Sequence, residues 1–311
     1  MSEERLEQLP ERVRAACAWV AGRARAVVLD EAALREYAAT LPADVEPLEP
    51  DPSTQLAEGD RETRAAFVVC LGAINFGSGW WPTIRKRPGH SGYRTIAAGV
   101  VERFRAAGAW PAAELAQIGP AEIAAVTGQD ADHPLMADFA AALRDVGEHV
   151  RDEHGGSFSS LAEAADRSAP ALAGLLAEWR AFADSSSYEG RQVPFFKRAQ
   201  LVAADLDRFV APLAGVDRLT AFADNLVPHV LRVDGVLRLD AELAARLDDG
   251  ELLEHGSAEE VELRACAVHA VELLASARGL APAEVDLALW TRGGEPRYKA
   301  IPRPRSRNTA Y

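Results

Sequence analysis

On 3.6-residue spacing, Phe195, Ala199, Val202, Leu206, Phe209 and Leu213 fall on one line within the stretch Val193 to Leu231. That is the pattern of an amphipathic helix with one buried face. Lys197 falls on the opposite side, facing either water or a cleft, and a second helical piece follows it. The same periodicity predicts two alanine- and arginine-rich helices within residues 4–39, broken near Val28 to Asp30. The apolar run Ala65 to Ile74 predicts a fully buried helix. Gly119-Pro120 and Gly128 bracket a short helix, and His133 to His154 forms a longer one stopped by Gly155-Gly156. A further helix runs from about Ala169 to Phe182, and a turn from Ser185 to Gly190 follows. Ser257-Ala-Glu-Glu260 spells a capping box at the start of a helix reaching about Ala277. One strand signal stands out, the Asp234-Gly235 turn inside LRVDGVLRLD, which predicts a short β-hairpin. The fold class is therefore all-α, mainly helical, with one short hairpin.

Two segments carry no periodicity. Pro42 to Gln55 holds four prolines and four acids and reads as a linker. It divides residues 1–60, the N-terminal helices and linker, from a helical body over residues 61–311, with the two packed as one unit. The tail from Thr291 to Tyr311, with three prolines and five arginines, is either a disordered end or an arm laid back over the body.

Composition narrows the class. With 311 residues, 48% of them hydrophobic, the chain can bury a sizeable core. No run reaches the ~18 apolar residues that a membrane span needs. The start of the chain is acidic where a secretory signal is basic, so a cytoplasmic protein without membrane contact is expected. Cys17, Cys70 and Cys266 are too scattered for a disulfide framework or a zinc site and read as reduced packing residues. The formal charge of -13 disfavours duplex nucleic acid as a partner, while a local basic pocket for a small anion stays open.

Candidate chemistry is sparse. Asn75 to Pro82 breaks the apolar run with two glycines, two tryptophans and a proline, an aromatic loop that serves a ligand or simply covers the core. Gly77-Ser-Gly79 lacks the third glycine of a dinucleotide fingerprint. Arg85, Lys86 and Arg87 read as a solvated basic loop, with phosphate contact as the lesser alternative. His149 and His154 are five residues apart rather than four, which denies them the shared helix face of a zinc-binding pair. No metal site is expected, and the chain has no nucleophile elbow, phosphate loop, CxxC pair or EF-hand loop.

Phe195-Phe-Lys-Arg-Ala-Gln200 with Ala204-Asp205, Thr220-Ala-Phe-Ala-Asp224 with Pro228-His-Val-Leu231, and His255-Gly256-Ser257 with Glu260-Val-Glu262 and Arg264 resemble the queuosine salvage protein family. So do Ile74-Asn75-Phe76, Ser91-Gly92-Tyr93, Gly155-Gly156-Ser157-Phe158, Leu289-Trp290 and the closing Tyr311. These motifs run in order from about residue 65 onward. The resemblance implies an all-helical fold like that of DNA glycosylases. It also implies hydrolysis of queuosine 5'-phosphate to queuine and ribose 5-phosphate, with neither metal nor organic cofactor. It places the catalytic carboxylate at Asp224 and puts Lys197 in the same pocket, in contact with the substrate.

Those residue types suit the reaction. Breaking an N-glycosidic bond builds positive charge on the sugar, which a fixed carboxylate stabilises while it orients or deprotonates water. A nearby cation, Lys197 first and Arg198 second, would hold the 5'-phosphate. Phe76, Trp80 or Trp81 would stack on the base. Asp205 is the fallback carboxylate, and Asn75, His229 and Tyr311 are further expected substrate contacts. The plain alternatives are a helix cap at Asp224 and a face partner for Arg198 at Asp205. Two departures from the family pattern, Gly77-Ser-Gly79 before the tryptophans and TRGGEPRYK after Trp290, keep a different modified nucleotide or nucleoside open. A damaged-base DNA glycosylase and a non-catalytic deazapurine carrier are the remaining classes, and the sequence leaves the oligomeric state open.

Overall fold

The computed structural model describes residues 3–46 and 48–311. The N-terminal helix Leu9–Ala21 buries Leu9, Val13, Cys17 and Val20, and it packs along the helix Ala258–Arg278 from the other end of the chain. The buried Glu262 of that long helix joins the two. Its Oε2 accepts the N–H groups of Arg25, Ala26 and Val27 at 2.9, 2.7 and 3.1 Å, and its Oε1 accepts the Tyr188 hydroxyl at 2.7 Å. Four such bonds match the carboxylate's capacity, which is how a buried charge is tolerated. The strand Val27–Leu29 that follows is thereby fixed and pairs antiparallel with Leu237–Leu239.

The second half of the core is built on Arg61–Ala73, whose start is capped by Asp60 accepting Thr63 N–H at 2.7 Å. It packs on the central helix Lys197–Phe209 and on Pro134–Glu153. All sheets are two-stranded, and the protein is mainly helical. Among the described residues no helix is long and apolar enough to cross a membrane. Cys17, Cys70 and Cys266 are buried and free.

The hairpin lies elsewhere than predicted. Leu226–Val233 is a helix, not a strand, because its apolar side chains bury on helical spacing. Gly235, at φ +79, turns the chain out of that helix, so only Leu237–Leu239 is strand and its partner is remote in sequence. The actual hairpin joins Ser185–Tyr188 to Arg191–Pro194. The central helix also starts two residues later than the periodicity suggests and ends at Phe209, ahead of Pro212. The tail is an arm laid back over the body: Arg305–Ser306 pairs with Leu252–Leu253, and Ser306, Asn308, Ala310 and Tyr311 are buried.

Candidate active site

One buried guanidinium organises the site. Arg264, on the long C-terminal helix, makes a bidentate pair with Asp184 at 2.9 and 2.7 Å, both side chains being almost fully buried. Its planar face lies between the rings of Phe195 at 3.9 Å and Tyr311 at 4.5 Å. Asp184 serves the entry to the central helix. Its carbonyl accepts the N–H groups of Phe195 and Phe196, and its Oδ2 accepts Lys197 N–H at 3.0 Å. That grip holds Phe196 in the left-handed region at φ +48, which a bulky side chain adopts only under such constraint. Arg264 also donates to the Ala223 carbonyl from Nε and from one terminal nitrogen, at 3.1 and 3.0 Å. Lys197 and Asp224 thus take their positions from the same ion pair.

Asp224 is half-buried. Its Oδ1 caps the Leu226–Val233 helix by accepting Leu226 N–H at 2.7 Å and Val227 N–H at 3.2 Å. The cap reading is therefore correct for one oxygen, while the second makes no hydrogen bond among the described residues. Lys197 is withdrawn from open water. It is 6% exposed, and its ammonium donates to the Asn75 carbonyl at 3.3 Å. Burial pushes it down to about 8, opposed chiefly by the negative charge of Asp224 and, more weakly, of Asp286.

Asp286 is a buried carboxyl of this neighbourhood that the sequence reading missed. It lies on the helix Pro282–Arg292 and accepts Phe222 N–H at 2.9 Å through Oδ1. Burial raises its carboxyl well above the usual range, and the charge of Asp224 raises it further. A signal was present: Asp286 adjoins Val285 and stands one turn before Leu289, both fully buried, so a carboxyl occupies the apolar side of its helix.

The other candidates scatter. Asp205, half-buried two turns along from Lys197, is raised to about 6 by burial, with Arg208 as the main opposing cation. It does not pair with Arg198. That guanidinium points to the other side of the helix, donating to the carbonyls of Ala73, Thr309 and Ala310. Burial lowers it to about 10. Phe76 is in the core, edge-on to Phe139 at 5.0 Å and beneath Arg198, so it offers no free face to a base. Trp80 and Trp81 remain half-buried, with Trp81 lying on Gly92. The Gly77-Ser-Gly79 turn receives the tail. Gly77 N–H donates to the Tyr311 carbonyl at 3.1 Å, and a Cβ on Gly79 would stand 2.5 Å from the Ser306 carbonyl oxygen. His229 is buried with Nε2 at 2.8 Å from the Tyr298 carbonyl, and burial lowers its imidazole. Arg85 pairs with Asp130 and Arg87 with Glu102, so the basic loop is solvated and charge-matched. His149 stacks on Trp179, and no group of metal-ligating side chains occurs among the described residues.

The fold gathers a carboxylate with one oxygen unbonded among the described residues, a buried acid and a buried ammonium whose charges act on one another, a set suited to stabilising positive charge and passing a proton. The comparisons give the class, an N-glycosyl hydrolase. The chain belongs to the queuosine salvage protein family, whose model matches residues 55–311. It is 32% identical over 308 residues to the queuosine 5'-phosphate N-glycosylase/hydrolase of Sphaerobacter thermophilus, covering 94% of this chain and 95% of that protein. The protein of the same name from Dictyostelium discoideum is 28% identical over 262 residues, covering 80% of this chain and 79% of its own. The one from Bos taurus is 33% identical over 151 residues, covering 47% and 44%.

Proposed function

We propose that this protein hydrolyses the N-glycosidic bond of queuosine 5'-phosphate, releasing queuine and ribose 5-phosphate. The observation that carries the mechanism is the divided role of Asp224. One oxygen is locked by two backbone N–H groups and the other is without a bond among the described residues. A carboxylate held that way can face the sugar as positive charge develops on C1', with no reorganisation at the moment of reaction. As the C1'–N bond breaks, water supplies its hydroxyl to C1' and its proton, passed through Asp224, reaches the leaving nitrogen. Burial, and then the charge of Asp224, raise the Asp286 carboxyl above the usual range, so it favours the protonated form more than an exposed acid does, while its Oδ1 is fixed by Phe222 N–H. The charges of Asp224 and Asp286 both act on Lys197, and the Trp80–Trp81 pair supplies rings for the base.

The charge of -13 supports a free nucleotide rather than duplex nucleic acid as substrate. A second reading, hydrolysis of a different modified nucleotide, is favoured by Gly77-Ser-Gly79, because that turn sets the tryptophans and packs against the tail. The test is base release followed by chromatography. Wild type should free queuine from queuosine 5'-phosphate, and Asp224→Asn should lose at least ~10²-fold in kcat, the scale of one transition-state charge contact. Near-normal kcat in the variant would place the catalytic carboxylate elsewhere. Inertness of the wild type on this substrate, with release from another modified nucleotide, would establish the second reading.

A further inference from the structure

The residues Thr220 to Ala223 that lead into Asp224 belong to no helix or strand. One backbone bond lies within them, from Ala223 N–H to the Ala221 carbonyl at 3.0 Å. Their place is therefore set from outside, by Gln200 at Thr220, Asp286 at Phe222 and Arg264 at Ala223. Of these three side chains only Gln200 shares a helix with Lys197, one turn further along.

Gln200 and Thr220 are both fully buried. The Gln200 Nε2 donates to the Phe195 carbonyl at 3.0 Å and to the Thr220 hydroxyl at 2.9 Å, and its Oε1 accepts Thr220 N–H at 2.9 Å. One amide thus joins the residues that open the lysine's helix to the start of the loop that ends in the carboxylate. An apolar side chain of that size would fill the same core space. Only an amide, which donates and accepts at once, also fixes the loop's register against the helix.

We infer that Gln200 is a positioning residue for the hydrolysis, holding Asp224 at its working distance from Lys197 through Thr220. This rests on the reading of Asp224 as the reacting carboxylate. A misplacement of ~1 Å caused by a change away from the chemistry can cost ~10²-fold in rate, so the grip on the loop matters beyond its share of stability. Lys197 reports the separation. Burial lowers its ammonium and Asp224 is the chief charge acting against that, with Arg198 adding to the depression and Asp286 and Asp184 opposing it more weakly.

The test joins base release from queuosine 5'-phosphate to an NMR titration of lysines labelled with ¹³C at Cε. The chain's lysines are Lys86, Lys197 and Lys299, of which Lys86 and Lys299 are exposed, so Lys197→Arg assigns the site signal. Gln200→Leu should lower kcat by ~10-fold or more with KM within ~2-fold, and should move the Lys197 midpoint below its wild-type position. Thr220→Val, which keeps the backbone N–H, should lose less, and Thr220→Ser should match wild type. The double variant Gln200→Leu/Thr220→Val should be no slower than Gln200→Leu, because both changes remove one contact. Thr127→Val is the stability control, since it deletes a buried hydroxyl bonded to the Ile123 carbonyl at 2.7 Å in the helix Pro120–Thr127, away from the site. It should leave both kcat and the lysine midpoint unchanged. Wild-type kcat in Gln200→Leu, a Lys197 midpoint unmoved or raised, or losses that add in the double variant would overturn the assignment; if Gln200→Leu does not fold by circular dichroism, Thr220→Val decides by the same readouts. Base release that survives Asp224→Asn would overturn the reading of the carboxylate itself, whereas release lost in Asp224→Asn but untouched in Gln200→Leu would overturn the positioning role alone.

Discussion

The linker from Pro42 to Gln55 and the tail from Thr291 to Tyr311, with four and three prolines, look alike in sequence, yet the linker and the end of the tail lie in opposite environments. The linker runs mostly exposed and is tied by surface contacts, an Asp51–Arg94 pair at 2.6 Å and a bond from Arg208 to the Leu48 carbonyl. In the tail, the carbonyls of Pro304, Thr309, Ala310 and Tyr311 all meet donors, from Asn225, Arg198 and Gly77. Proline content therefore says nothing about order here. What decides it is whether buried donors elsewhere in the fold receive the backbone oxygens that an aperiodic segment cannot satisfy by itself.

Four measurements would break or sharpen this contrast. The largest effect is expected from Arg264→Ala, which leaves Asp184 buried without its partner and releases both the Ala223 carbonyl and the Tyr311 ring. Urea unfolding should show a loss of ~3–5 kcal/mol, and a loss below ~1 kcal/mol would show that the pair does not organise the site. Arg198→Leu should come next, at ~2–3 kcal/mol for carbonyls left unpaired, and should expose the tail to carboxypeptidase while the linker's cleavage pattern stays unchanged.

Raising the pH gives the third. Lys197, pushed down to about 8, is mainly charged below that pH and mainly neutral above it. If its charge supports Asp224, kcat should fall towards tenfold per unit above about 8, and Lys197→Arg should flatten that limb. The same depression makes the unfolded chain hold a proton that the folded chain has released between about 8 and the ordinary 10.5. Folding stability should therefore rise, not fall, through that window as far as this group is concerned. The smallest effect belongs to the linker. Arg94→Ala breaks a part-exposed pair and should cost under ~1 kcal/mol, so a cost equal to that of Arg198→Leu would erase the contrast between the two segments.

Helical periodicity carried much of the fold because each long helix buries its own stripe, as Phe195 to Phe209 does. It also set Lys197 apart from the apolar line, and the structure buries that residue all the same. The hairpin at Asp234-Gly235 was misread because the dipeptide specifies only a local turn; what precedes it is a helix end, and its strand pairs with Val27–Leu29. Phe76 and Arg198 were read as free to bind because sequence shows a ring and a charge but not what covers them. Asp286 was legible in principle as a lone acid among buried neighbours. The burial of the tail was not, since an aperiodic segment offers no spacing from which a covered face can be read.

The tail's bonds to Arg198 and Gly77 have a consequence for how the molecule is made. The Arg198–Ala310 contact spans 112 residues, and Gly77–Tyr311 crosses most of the chain. Contacts of such span close late in folding. During synthesis from the N-terminus, both carboxyls and Lys197 exist in the nascent chain before Arg303 has been added. A growing chain thus carries the acids of the site before it carries residues 303–311, whose backbone covers Arg198 and Gly77.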